Sequence, residues 1–254
     1  MASWPESFAS MGITAELVAE KYGVTREEQD AFAAASHTKA AAAIAAGKFK
    51  YEIIPVEVEN CALVNGKMKR SKELVDTDDG VRGDTTVAAL AKLKPAFKAA
   101  GTVTAGNTSQ MTDGAAAVLV VSEEYLKKTT KKPLARFVAF AVKGVPPELM
   151  GIGPVAAVPA ALTLAGLTLA DIGLIELNEA FAAQSLACVK ELGIDPARVN
   201  VNGGAIALGH PLGCTGAKLT ASILQEMKRT DTRYGMVSMC IGGGMGAAGI
   251  FEKV

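Results

Sequence analysis

The chain has 254 residues, 50% of them hydrophobic, which is ample to form the core of one large domain or two modest ones. Its 26 basic side chains balance 26 acidic ones and aromatics make up only 5%, which excludes a general nucleic-acid binder and base-stacking platforms. Cys61, Cys188, Cys214 and Cys240 form no CxxC pair or zinc spacing, so a reducing compartment without disulfides or metal is the default.

Thr25 is followed three residues later by Glu28, a capping box that opens a helix over Gln29–Ala46, stopped at Gly47. Tyr51–Val58 alternates as a strand, and polar Lys67–Gly83 reads as a long surface loop. Thr86–Ala99 has helical composition with a break or kink at Pro95. Gly106-Asn107-Thr108-Ser109 is a turn, followed by a buried strand at Ala115–Val121. The basic run Lys127–Pro133 is the clearest boundary in the chain.

Beyond it the pattern is regular. Strands at Leu134–Val142, Ile172–Leu177, Val199–Val201, Tyr234–Cys240 and Ala247–Glu252 alternate with helices at Pro154–Ala165, Ala180–Leu192 and Gly216–Lys228. This order specifies a layered α/β domain with a mixed sheet, closing in a tight hairpin. The strongest apolar runs, Ala115–Val121 and Phe137–Val142, are strand-length and too short to span a bilayer. Met1–Glu6 has neither the basic nor the apolar part of a secretory signal, and the chain's last three residues are no peroxisomal Ser-Lys-Leu address.

Chemistry concentrates where strands end. Cys240 precedes Gly242-Gly243-Gly244, and His210 lies among Gly203, Gly204, Gly209, Gly213 and Gly216. Glycines at these places strip away side-chain bulk and let backbone amides approach a substrate. A thiol and an imidazole so placed suit acyl or thiol chemistry. Asn178 ends a strand, either to cap the next helix or to hold a carbonyl oxygen. His37, within an alanine-rich helix, reads as solvated. Gly151-Ile152-Gly153-Pro154-Val155-Ala156 imitates a dinucleotide fingerprint, but Gly144–Met150 intervenes where a tight strand-to-helix turn is required.

In that order, Asn178-Glu179-Ala180-Phe181, Gly203–Pro211 and Cys240–Gly246 resemble the three active-site signatures of the thiolase family. Met11–Glu16, Thr104–Ser109 and Asp113–Ala117 also resemble thiolase segments; Val145–Pro154 and His210–Gly216 are most similar to the peroxisomal 3-ketoacyl-CoA members. The resemblance implies a layered α/β/α thiolase-like fold. Residues 1–104 would form a loop domain, 105–132 the last strand of the N-terminal core domain and a linker, and 133–254 a complete C-terminal core domain with a mixed five-stranded sheet. It further implies an acyltransferase of fatty-acid β-oxidation, with coenzyme A as substrate and no cofactor. His210 would activate a nucleophilic cysteine and share an oxyanion hole with Asn178, Cys240 would be the acid/base, and the Gly242 amide would serve a second hole. Arg82, Leu93, Ser109 and Phe181 fall where the family contacts coenzyme A or substrate. The implied partners are acyl-CoA and coenzyme A, with a homodimer or a full-length thiolase, in the peroxisome. The family's nucleophilic cysteine belongs to a half that precedes the segment at Met11, and no cysteine here matches it. A non-catalytic protein that binds coenzyme A esters or a thiolase partner is the alternative. A nicotinamide-binding module around Gly151–Ala156 would require measured NAD affinity.

Overall fold

The computed structural model describes residues 4–254; Met1–Ser3, part of the stretch read above as lacking a leader, lie outside them. A mixed sheet forms from β3 (Ala135–Gly144), β4 (Leu174–Leu177), β5 (Tyr234–Ile241) and β6 (Met245–Lys253), in the order β3-β6-β5-β4. β4 runs parallel to β5, and the other pairs are antiparallel. Successive side chains point to opposite faces of the sheet, and each face carries its own core. On one, Ile175, Leu177, Met236 and Ile250 pack against α3 (Gly153–Ala165) and α4 (Ala182–Leu192). On the other, Leu174 and Val237 meet Leu219, Ile223 and Met227 of α5 (Thr215–Thr230). The result is the expected helix–sheet–helix layering.

The expected fifth strand is reduced to a single bridge between Ile175 and Val199. Asn200 is the reason. Its backbone turns at φ 45°, and its side-chain amide takes the place of a strand neighbour. It accepts the Leu177 N–H at 2.9 Å and donates to the Leu177 carbonyl at 2.8 Å.

The N-terminal segment lies on the side where the site forms. α1 (Met11–Tyr22) buries Ala15, Val18 and Ala19 against Leu149, Ile152 and α4. α2 (Arg26–Ala45) opens with the expected capping box, Thr25 Oγ1 accepting Glu28 N–H at 3.2 Å and Glu28 Oε2 accepting Thr25 N–H at 2.8 Å. Its alanines Ala33, Ala34, Ala40 and Ala43 let α4 and the helical turn Ala205–Leu208 approach closely.

Five expectations need correction. Lys67–Gly83 is a loop only in part: β1 (Val56–Val64) and β2 (Lys67–Val75) form an antiparallel hairpin, and the strand expected from Tyr51 begins at Val56. Asn65 and Gly66, at φ 51° and 74°, adopt the two-residue turn whose twist matches that of paired strands, a local signal that was available in the sequence. Thr86–Ala99 is helical only over Val87–Leu90, after which Pro95 prevents continuation and Arg26 donates to the Leu90 and Leu93 carbonyls. His37 is buried, its Nδ1 accepting the Arg82 N–H at 3.2 Å. Ala115–Val121 is not a strand, because among the described residues no neighbour pairs with it. Leu119 and Val120 are 86% and 78% exposed. The stretch Pro147–Ala165 is apolar enough and long enough to cross a bilayer, but half of it is buried in the core and the backbone kinks at Leu149.

Leu119, Val120, Phe137 and Phe140 leave extensive apolar surface open to solvent, and patches beyond a few hundred Å² favour association. Light scattering is therefore expected to give a mass above the 26.1 kDa of one chain, reduced towards it by Leu119→Lys with Val120→Lys. A monodisperse wild-type monomer that binds no hydrophobic dye contradicts this.

Candidate active site

The carboxyl ends of the parallel pair β4 and β5 build the site. Leu177 pairs with Ser238, and the ladder continues one step as Asn178 N–H donates to the Ser238 carbonyl at 2.9 Å. Cys240, two residues beyond Ser238, thus lies beside Asn178 at the sheet's edge. His210 arrives from the other side on the loop that follows Ala205–Leu208. At Gly209, φ is 86° and a Cβ would stand 2.4 Å from the Thr112 hydroxyl, so glycine is required both by conformation and by close approach. The His210 N–H reaches the Gln110 carbonyl at 3.4 Å, so the 107–112 segment threads between the two site loops.

Three predicted residues converge. Asn178 Nδ2 lies 3.3 Å from His210 Nε2. The Cys240 thiol donates to Gln184 Oε1 at 3.7 Å. Gln184 is oriented in turn by its Nε2, which donates to the Asn178 carbonyl at 3.3 Å and to Ser185 Oγ at 2.9 Å. Asn178 therefore connects to the imidazole through its side chain and, by way of Gln184, to the thiol through its backbone. Its Oδ1 is buried and has no hydrogen-bond partner among the described residues, an unmet demand of the kind functional sites retain.

The environment sets the charge states. Burial, reinforced by the Lys218 cation, lowers the His210 pKa and keeps the imidazole neutral near pH 7. Lys218, itself mostly buried, donates to the Leu208 and Gly209 carbonyls at 3.3 and 3.0 Å and so supports the loop from beneath. Burial pushes the Cys240 thiol up to about 11, so it holds its proton. A neutral imidazole on the loop after Ala205–Leu208 and a protonated thiol at the end of β5 thus differ in character through their surroundings alone.

The remaining candidates are dispersed. Gly242 lies exposed in the β5–β6 turn, with Gly243 and Gly244 at φ 87° and 89°. Ser109 N–H donates to the Ala180 carbonyl at 3.0 Å, which sets Ser109 beside Phe181, and Phe97 meets the Phe181 ring edge-on at 6.3 Å. Leu93 is partly exposed near Gly106. Arg82 is exposed and stands over His37 rather than against the Asn178–His210 pair. Of the other thiols, Cys61 is on the exposed hairpin and Cys188 is buried, donating to the Gly151 carbonyl at 3.5 Å; Cys214 lies just before α5.

Sequence reasoning gave no role to Gln184, Thr215, Lys218 or Glu179, although Glu179 and Thr215 lie inside the motifs. Glu179 is the anchor. Its buried carboxylate accepts from Ser36 Oγ at 2.7 Å, Asn200 Nδ2 at 2.8 Å and Ile206 N–H at 3.2 Å. A Cβ on Gly204 would fall 2.1 Å from this carboxyl carbon, so glycine there makes room for it.

Two family models match the chain: "Thiolase, N-terminal domain" over residues 6–124 and "Thiolase, C-terminal domain" over residues 131–253. A 3-ketoacyl-CoA thiolase of Bacillus subtilis is 60% identical over 98% of this chain and 64% of its own length. The peroxisomal 3-ketoacyl-CoA thiolase 2 of Arabidopsis thaliana is 55% identical over 96% of this chain and 53% of its own. Among solved structures, an acetyl-CoA acetyltransferase of Bacillus anthracis superposes with a TM-score of 0.91 at 46% identity, covering 96% of this chain and 60% of that one. Human mitochondrial 3-ketoacyl-CoA thiolase in complex with CoA gives 0.89 at 45% identity, covering 96% and 59%. The chain thus spans between half and two thirds of the length of these relatives.

Two outcomes are expected. Alkylation of Cys240, followed by peptide mass mapping, should accelerate with pH up to about 11, because only the thiolate reacts; a plateau near the ordinary thiol value of about 8.5 contradicts the burial argument. Glu179→Ala strands three buried donors and should lower unfolding free energy by about 3 kcal/mol or more in urea titration. A change below about 0.5 kcal/mol would show that the carboxylate is not the anchor.

Proposed function

The chain belongs to the thiolase family, and from that premise we propose that it supplies the acid/base and oxyanion-binding part of a 3-ketoacyl-CoA thiolase of fatty-acid breakdown. The reaction is cleavage of a 3-ketoacyl-CoA by coenzyme A into acetyl-CoA and an acyl-CoA shortened by two carbons. The observation that carries this reading is the convergence of Asn178 and Cys240 at the ends of β4 and β5 with His210 from the neighbouring loop, linked through Gln184, with a neutral imidazole and a protonated thiol.

In this reading His210 Nε2 takes the proton of the nucleophilic thiol, which attacks the 3-keto carbon. The carbonyl pair moves onto oxygen, where the Asn178 amide and His210, directly or through water, stabilise it. Collapse of that adduct breaks the C2–C3 bond and leaves its electron pair on C2 of the departing acetyl-CoA. Cys240 gives its proton to C2 and becomes a thiolate. It then takes the proton of incoming coenzyme A, whose sulfur attacks the acyl-cysteine; the shortened acyl-CoA forms as the cysteine leaves as a thiolate and regains its proton from His210. The burial that raises the Cys240 pKa suits it to protonating a strongly basic carbanion, since a weaker acid keeps its proton until that base forms. The Gly242 amide, exposed in its turn, is proposed to hold the enolate oxygen of the acetyl group. Ser109, Phe181 and Leu93 are proposed to line the pantetheine path and Arg82 to meet the nucleotide end of coenzyme A.

The nucleophile is assigned to none of Cys61, Cys188 or Cys214, since Cys61 is remote on the hairpin, Cys188 is sealed in the core and, among the described residues, the hydrogen bonds of the imidazole go to Asn178 and Thr215 rather than to Cys214. The same observation favours a second reading, a non-catalytic chain that binds coenzyme A esters. The proposal includes association with a second copy or with a thiolase segment carrying the nucleophile. Peroxisomal residence is the further expectation drawn from relatives such as the Arabidopsis enzyme.

Calorimetry with coenzyme A and mass spectrometry after incubation with a 3-ketoacyl-CoA separate the two. The chain alone is expected to bind coenzyme A but gain no acyl mass. Mixed with the part of the Bacillus subtilis relative that lies outside the matched region, it is expected to release acetyl-CoA. Cys240→Ser or His210→Ala should then cut turnover by about 10² or more. Coenzyme A binding without turnover in that mixture would leave only the binding reading.

A further inference from the structure

The Thr215 side chain lies against the ring of His210, and counting hydrogens there decides where the imidazole keeps its proton. Thr215 is the first residue of α5 and is 2% exposed. Its Oγ1 stands 3.0 Å from the Pro211 carbonyl and 2.6 Å from His210 Nδ1. A hydroxyl has one proton and a carbonyl oxygen can only accept. The Thr215 proton therefore goes to Pro211, and the short contact to the ring leaves Thr215 as acceptor and Nδ1–H as donor. In a neutral imidazole the second nitrogen then has no hydrogen. On the other side of the ring, Nε2 faces Asn178 Nδ2, which can only donate, at 3.3 Å.

We propose that Thr215 is a positioning residue that holds His210 as the Nδ1–H tautomer and so presents the Nε2 lone pair to the site. This rests on the reading of His210 as the proton acceptor of the reaction. The geometry behind it is rigid. Pro211 and Thr215 are bracketed by one turn, in which Cys214 N–H also donates to the Pro211 carbonyl at 2.9 Å, and α5 continues directly from it. An imidazole held at one nitrogen by a fixed acceptor loses both rotational freedom and the wrong tautomer, which is how a third group orients a general base. The neighbouring Lys218, tied to the Leu208 and Gly209 carbonyls, keeps the loop in place.

The experiment is a long-range ¹H–¹⁵N correlation spectrum of the ring nitrogens in the full, uniformly labelled chain, near pH 8. The chain has 2 histidines, and His37→Gln identifies which signals belong to His210. Wild type is expected to show a protonated Nδ1 and a hydrogen-free Nε2. Thr215→Val, which keeps the shape and removes the acceptor, should produce the Nε2–H tautomer or a mixture, and Thr215→Ser should restore the wild-type pattern. An Nε2–H pattern in wild type overturns the proposal, and this spectrum alone suffices should Thr215→Val fail to fold. A pure Nδ1–H pattern in a folded Thr215→Val chain also overturns it. In the complemented enzyme, Thr215→Val should lower kcat by at least about tenfold with KM unchanged, and Thr215→Ser should recover it. If the tautomer changes as expected while turnover does not, the positioning role stands and the reading of His210 as the base fails.

Discussion

One buried carboxylate holds the site together. Glu179 draws Ser36 of α2, Asn200 after β4 and the backbone of Ile206 onto two oxygens. Those three donors belong to three separate stretches of chain, two of which position Asn178 and His210. α2 carries His37 against the Arg82 backbone. The Asn200 turn clasps the end of β4, so that Asn178 leaves the sheet at a fixed point. Ile206 lies in the helical turn that delivers His210. Burial raises the Glu179 pKa, and the hydrogen bonds from Ser36, Asn200 and Ile206 oppose that shift, with Lys39 adding to them. A charge so enclosed tolerates no loss of partner, because the interior offers nothing to replace it.

From that anchor the two chemically active groups are given opposite characters. His210 and Cys240 both sit at the rim of the sheet and both lose water. Burial acts on each in the direction of its neutral form, lowering the imidazole and raising the thiol. One kind of environment therefore produces a base without its proton and an acid that keeps its own. Neighbouring polar groups refine the result: Gln184 gives the thiol proton an acceptor, while Lys218 adds a positive charge that further disfavours imidazolium. The carbon–carbon bond cleavage proposed for this site calls for such a separation, since the carbanion must meet an acid while the attacking thiol meets a base.

The legible parts of the sequence were those in which a local pattern settles the backbone. The Thr25–Glu28 box, the proline at the start of α3 and the alternating cores of β4 and β5 were readable because each depends on near neighbours. Asn65-Gly66 was equally local and was overlooked because charged residues on both sides masked the hairpin. Ala115–Val121 misled for the opposite reason. Its apolar, β-branched composition suits a strand, but a strand exists only where another pairs with it. Thr86–Ala99 similarly gave way to Pro95 and to the Arg26 side chain, a partner more than sixty residues away in sequence.

By itself the sequence determined the thiolase signatures, the order of strands and helices beyond the basic linker apart from Val199–Val201, and the three residues that converge at the site. Motifs of that kind can be read because their spacing and composition are written along the chain. The tertiary structure decided the rest: the reduction of the fifth strand to one bridge, the burial of His37, the role of Gln184, and the proton on His210 Nδ1. Each depends on which groups lie within about 3 Å of one another and how far water is excluded. Those distances join Asn178 to His210, Cys240 to Gln184 and Glu179 to Ser36, pairs separated by 32, 56 and 143 positions, and only folding creates them.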